Sequence, residues 1–282
     1  MQLPEDAVDT LGDGGGDRHY AVVVAGVWIG ACILLRLTIP HIVFPSVFWS
    51  TVVATIVFMA LSLGMVYSAT RIETRVGAEL VALGILVAGF LLFDAIGADA
   101  ASELCLVLGG IAFGKILSRL LRDANMILPV AVVAGIVDIW GVNLGGPVAQ
   151  MVEKTPQLFH KMTAQIPSFS TGVAGSPKYI ALIGVGDFAF LALFFASLSR
   201  FGLNAVRASW LSGLTLCTGM LLVTLAPVGI ALPGLPFMVV GILLANRGRF
   251  RYTREEKVAL AYGGAALILL LGLASLGMHN MR

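Results

Sequence analysis

Long apolar runs broken by brief polar segments make up most of this chain. A membrane-spanning helix takes about 20 mainly apolar residues. Nine runs approach that length: 20–41, 44–67, 76–97, 102–121, 126–143, 179–199, 205–226, 229–246 and 258–278. The pattern predicts an all-α, polytopic transmembrane helix bundle of about nine spans. The fourth, fifth and eighth runs are short or interrupted by Gly, Pro or Lys115. Only 144–178 is an extended connection; its stretch VAQMVEKTPQLFHKM suits a short interfacial helix pair broken at Pro156, or a solvated loop, equally well. Gly110 and Gly114 form a small-xxx-small pair that lets helices approach closely. Residues 1–18, MQLPEDAVDTLGDGGGDR, are acidic and glycine-rich and read as a disordered tail. That acidic start is unlike a cleavable signal peptide, so the first run is expected to be a retained span. The chain divides into the tail 1–18, a four-helix part 19–125, a core 126–246 containing the 144–178 loop, and a basic loop with a last helix over 247–282.

Composition sharpens this to an integral membrane protein. Hydrophobic residues make up 58% and charged residues 12%, with a mean hydropathy of +0.95. A soluble domain carries about 25% charged residues, so this chain has too few to cover a water-facing surface. The net charge of +2 is small and the basic residues sit in short loops, which leaves no footprint for nucleic acid. Cys32, Cys105 and Cys217 fall inside apolar runs, and His19, His41, His160 and His279 are scattered; neither set has metal-ligand spacing. With nine spans, 13 Lys and Arg share the side of the N-terminus and five the other. The asymmetry predicts a cytoplasmic N-terminus and an extracytoplasmic 144–178 loop, in a plasma or inner membrane.

Carboxylates at membrane depth carry the candidate chemistry, because a charge at the bilayer centre costs roughly 3 kcal/mol. Asp94 lies near a span end and reads as structural. Asp138, in PVAVVAGIVDIWGV, and Asp187, in IGVGDFAF, lie on consecutive antiparallel spans joined by the long loop. At 1.5 Å per residue both are expected roughly 8–12 Å below one membrane face. Two carboxyls at one depth and close together share one proton. The ionised member can then take a proton from water while the protonated one polarises a peptide carbonyl. Gly184 and Gly186 remove side-chain bulk before Asp187 and are expected to admit another backbone. From the aspartates alone, a protease and a proton- or ion-coupled transporter are equally served. A third element, LAPVGIALPGLPFMVV, places Pro233 and Pro236 at a span start entering from the same face. Prolines there leave carbonyls without intrahelical partners, which is tolerated at membrane depth around an interior cavity.

Taken together, Val137-Asp138, Gly184-Val185-Gly186-Asp187 and Pro233-Gly234-Leu235 resemble the presenilin and signal peptide peptidase family of GxGD intramembrane aspartyl proteases. That family has a Tyr-Asp pair, GxGD on the next span, and Pro-Ala-Leu two spans later. The GP at 146–147 and MVEKT at 151–155 are also similar to presenilins, and the resemblance covers about 126–246. It implies a presenilin-like fold, Asp138 and Asp187 as the catalytic pair, and Pro233, Gly234 and Leu235 as residues that shape the site and seat substrate. It implies transmembrane protein or peptide substrates, water as the only co-reactant and no cofactor. Val137 and Gly234 depart from the family's Tyr and Ala, and the chain has four runs before Asp138 where the family has five helices. With those departures the resemblance implies a divergent, prokaryotic-type member. A prepilin-peptidase-like protease also uses GxGD, but its pattern continues with a lysine where Phe188-Ala189-Phe190 follows here, and it leaves ALPGLP without a role.

Overall fold

A computed structural model describes residues 14–44, 46–144, 146–169, 179–225 and 233–280. Among them are eleven α-helices: α1 (Gly14–Thr38), α2 (Val47–Thr70), α3 (Val76–Ala95), α4 (Asp99–Ser118), α5 (Ile127–Asn143), α6 (Pro147–Lys154), α7 (Pro156–Lys161), α8 (Val185–Arg200), α9 (Ala205–Leu225), α10 (Leu235–Ala245) and α11 (Arg254–Asn280). Two strands, β1 (Thr163–Pro167) and β2 (Tyr179–Gly184), form one antiparallel hairpin between α7 and α8. Apart from that hairpin, the architecture is all-α among the described residues. Among the described residues six helical stretches are long and apolar enough to cross a membrane: Val47–Thr70, Val76–Ala95, Asp99–Ser118, Ala124–Lys154, Ala205–Leu222 and Arg254–Leu276. The chain is an integral membrane protein on that ground.

Three of the nine expected spans take a different form. α1 begins at Gly14, inside the stretch expected to be a tail; residues 1–13 lie outside the described ones. The run 179–199 is not one helix. Its first six residues are strand β2, and the helix starts only at Val185. The run 229–246 contains the 11-residue α10, about 16 Å long at 1.5 Å per residue, or half of a bilayer core. Residues 226–232 lie outside the described ones. Of the two forms open to the 144–178 loop, the helix pair is the one present: Pro147 opens α6 and Pro156 opens α7, each at a first-turn position where a missing N–H costs nothing.

α8 is the core of the bundle. Phe188, Leu191, Ala192, Leu193, Phe194, Phe195 and Leu198 are all buried, covering every side of the helix. A helix apolar all round belongs in an interior, and α8 packs on α4, α2, α9 and α10. Its tightest neighbour is α4. A Cβ added to Gly114 would lie 2.0 Å from the Ala189 carbonyl oxygen, and one on Gly110 would lie 2.8 Å from Val185 Cγ2. The two glycines therefore bring backbone against backbone. α3 and α11 lie at the outside, with Leu80, Val81, Ile85, Leu91 and Leu270 exposed as lipid-facing side chains are.

Polar contacts tie the helix ends into two groups. At one end Arg119 donates to Glu79 through Nε (2.9 Å) and Nη2 (3.0 Å), with Lys115 Nζ 3.5 Å from the same carboxylate. Arg200 donates there to the carbonyls of Ser118 (2.7 Å) and Leu121, and Asn125 to that of Arg251. At the other end Lys161 donates to Asp94 at 2.7 Å, which gives Asp94 the structural role expected of it. Trp140 donates to Ser275 at 2.9 Å at that same end. Glu79 is 5% exposed, so Glu79→Ala removes the acceptor of two cations at once. The expected outcome is a loss of about 2 kcal/mol, read as a lower thermal midpoint in detergent with unchanged helix content.

Candidate active site

The site is built where three elements end. Asp138 lies five residues before the end of α5, Asp187 is the third residue of α8, and Gly234 immediately precedes α10. A helix start leaves backbone N–H groups without intrahelical partners. At α10 the residue before the helix is Gly234, which has no side chain to cap it, and Pro236 contributes no N–H. The Leu235 N–H therefore turns outward and donates to Asp138 Oδ2 at 2.9 Å.

Asp187 reaches the same point from the other side. A Cβ added to Gly234 would lie 3.0 Å from Asp187 Oδ1, 3.2 Å from Cγ and 3.3 Å from Oδ2. Consecutive residues of one broken helix start thus touch the two carboxyls. The carboxyls are also within electrostatic reach of each other, and the Gly184 backbone N–H is directed at Asp187. Both aspartates are half-buried, and Pro233, one residue before Gly234, is buried. Val137, where the resemblance has Tyr, is 39% exposed.

Two expectations for this region change. Asp187 is not preceded by turns of helix; it stands in the first turn of α8, where the helix dipole favours an acidic side chain. Among the described residues, the glycines before it do not clear space for another backbone. A Cβ on Gly184 would make an ordinary 3.7 Å contact with Asp187 Oδ2, and one on Gly186 meets nothing within 4 Å. The glycine crowded by a carboxyl is Gly234, while Gly110 and Gly114 on α4 are the glycines that meet the backbone of α8.

The hairpin explains why α8 starts late. β1 and β2 pair from Thr163 opposite Gly184 to Pro167 opposite Tyr179, and the Val185 N–H donates to the Met162 carbonyl at 3.2 Å to continue the ladder. Ala164, Ile166 and Ile183 are buried on one face. Pro167 has no N–H to give, and the register slips there. The other edge of β1 is held by side chains absent from the candidate set drawn from sequence. Glu103, near the start of α4, accepts from the Gln165 N–H at 2.7 Å. Arg36, near the end of α1, donates to the Gln165 carbonyl at 3.2 Å and to Glu103 through both Nη atoms, Nη1 at 2.6 Å. The sequence signal for this pair is two opposite charges at span ends that alternation brings to one face.

A pair of neighbouring carboxyls, one bonded to a backbone donor and both beside the start of α10, can hold a shared proton, activate a water and polarise a carbonyl. The chain matches no protein-family model, no curated protein and no solved structure.

Proposed function

We propose that the protein is an intramembrane aspartyl endopeptidase that hydrolyses peptide bonds within membrane-spanning segments of proteins or signal peptides, with Asp138 and Asp187 as the catalytic pair. The observation that carries this reading is the meeting of both carboxyls at Gly234–Leu235. The ordered resemblance of Asp138, the GxGD stretch and Pro233-Gly234-Leu235 to the presenilin and signal peptide peptidase family supports it. In the reaction the ionised carboxylate accepts a proton from water, whose oxygen bonds to the scissile carbonyl carbon. The protonated partner donates to the carbonyl oxygen. The tetrahedral intermediate then collapses with protonation of the amide nitrogen, and the C–N bond breaks.

A helical substrate must unwind before attack, and its freed N–H and C=O groups need partners in a dry site. Strand addition supplies them, and β2 runs directly into the GxGD turn. The charge asymmetry of the loops orients the N-terminus to the cytoplasm and the hairpin end of the bundle outward.

The test is cleavage of a tagged single-span substrate by the purified full chain in detergent. Wild type, Asp138→Ala and Asp187→Ala are compared with and without an aspartyl transition-state analogue. Only uninhibited wild type is expected to cleave; cleavage that survives either substitution sinks the dyad. Gly234→Val separates site shape from carboxyl chemistry. Its branched side chain displaces Asp187, and a misplacement of about 1 Å is expected to lower kcat roughly a hundredfold. Gly186→Ala, whose added methyl meets nothing within 4 Å among the described residues, is expected to leave the thermal midpoint unchanged.

A further inference from the structure

An antiparallel ladder alternates residues whose N–H and C=O face the partner strand with residues whose groups face away. Gln165 stands opposite Leu182, and its N–H and C=O turn away from β2 to Glu103 and Arg36. By the same alternation the N–H and C=O of Leu182 turn away from β1. Gly184, two residues on, keeps that direction, and its N–H meets Asp187. The outward edge of β2 therefore leads to the carboxyl, and among the described residues no third strand pairs with it.

The two edges of the hairpin are unlike. An unpaired strand edge is a template for another chain, and charged side chains commonly block it. On β1 the block is specific: one carboxylate takes the N–H and one guanidinium fork takes the C=O of the same residue, while the two groups bind each other. Glu103 is 11% exposed and Arg36 25%, so the pair is held among other groups rather than loose in solvent.

We infer that Arg36 and Glu103 are positioning residues that close the β1 edge at Gln165, so that an extended peptide segment adds only to the outer edge of β2 and is led to Asp187. The inference rests on the protease reading for the identity of that segment, an unwound stretch of substrate. Neither residue touches the reacting atoms. Their role is to set the edge, and hence the register, in which a peptide is presented.

The probe is a Val- and Ile-rich extended peptide carrying one photoreactive side chain, cross-linked to the purified full chain. Wild type is expected to be labelled within 179–184 and not within 163–167. Arg36→Leu/Glu103→Leu removes both charges together, leaving no lone buried ion, and is expected to be labelled on both strands. The charge swap Arg36→Glu/Glu103→Arg keeps an ion pair but offers an acceptor to the Gln165 carbonyl and a donor to its N–H. It is expected to behave like the double leucine variant. With a cleavable substrate both variants are expected to give a second set of product termini by mass spectrometry and roughly tenfold lower kcat/KM, with transition-state-analogue binding retained. Labelling of 163–167 in wild type, or a wild-type pattern in either variant, overturns the inference; if the leucine variant does not fold, wild type and the swap decide. Wild type labelled on β2 but inert towards every single-span substrate overturns the protease reading and leaves the edge assignment standing.

Discussion

Asp138→Asn and Asp187→Asn are each expected to lower kcat by at least about three orders of magnitude while leaving the fold in place. Asparagine matches the shape of aspartate and keeps an amide oxygen. In the first variant that oxygen can still accept the Leu235 N–H, which Asp138 accepts at 2.9 Å. In the second the amide fits beside Gly234 as the carboxyl does, where the nearest Asp187 oxygen lies 3.0 Å from a Cβ position. Neither amide can take a proton from water or hold one to donate. The loss is therefore chemical, and the thermal midpoint and oligomeric state stay those of wild type. The double variant is expected to be no worse than either single one, because the two groups act as a unit. Substrate-dependent ion flux that persists in both asparagine variants would instead favour a carrier or scaffold role for the pair.

The second large effect is expected at a residue with no chemistry. Gly114→Ala places a methyl carbon 2.0 Å from the Ala189 oxygen, 2.8 Å from its carbonyl carbon and 2.9 Å from Ala192 Cβ. Two of the three are backbone atoms of α8 and cannot rotate away, so the helices must separate. Overpacking of this kind costs about 1–3 kcal/mol. Its functional consequence is larger, because Asp187 lies two residues before Ala189 on the same helix and moves with it. Activity is expected to fall by roughly a hundredfold even in preparations that remain folded. Gly264→Ala on α11, where an added Cβ meets nothing within 4 Å, is the control and is expected to change neither stability nor cleavage. Equal behaviour of the two variants would remove α4 from any role in placing Asp187.

Much of the bundle was legible because lipid selects on local composition. Val47–Thr70, Val76–Ala95 and Asp99–Ser118 are helices where the apolar runs predict them, and Pro147 and Pro156 mark two short helices by their chemistry alone. The candidate site was legible as residues, since Asp138, Asp187 and the Pro233-Gly234-Leu235 stretch stand out against apolar neighbours. Its geometry was not. The run from Tyr179 is continuous and apolar, and such a run reads equally as strand or helix by periodicity. Gly110 and Gly114 announced a close contact but not that α8 would fill it. Arg36 and Glu103 looked like ordinary charges at span ends.

The sequence by itself determined a membrane-embedded helical chain with two carboxylates near one face and a proline-interrupted segment entering beside them. Those properties depend on what each short stretch contains, because transfer into lipid adds up residue by residue. The tertiary structure decided that β2 precedes α8, that α10 is half a span, and that Asp138 and Asp187 meet at Gly234 and Leu235. Each of these depends on hydrogen-bond partners far away in the chain: Met162 for Val185, Asp138 for Leu235, and Glu103 with Arg36 for Gln165. A backbone group buried in a membrane protein must find a partner, but only the folded chain decides which one it finds.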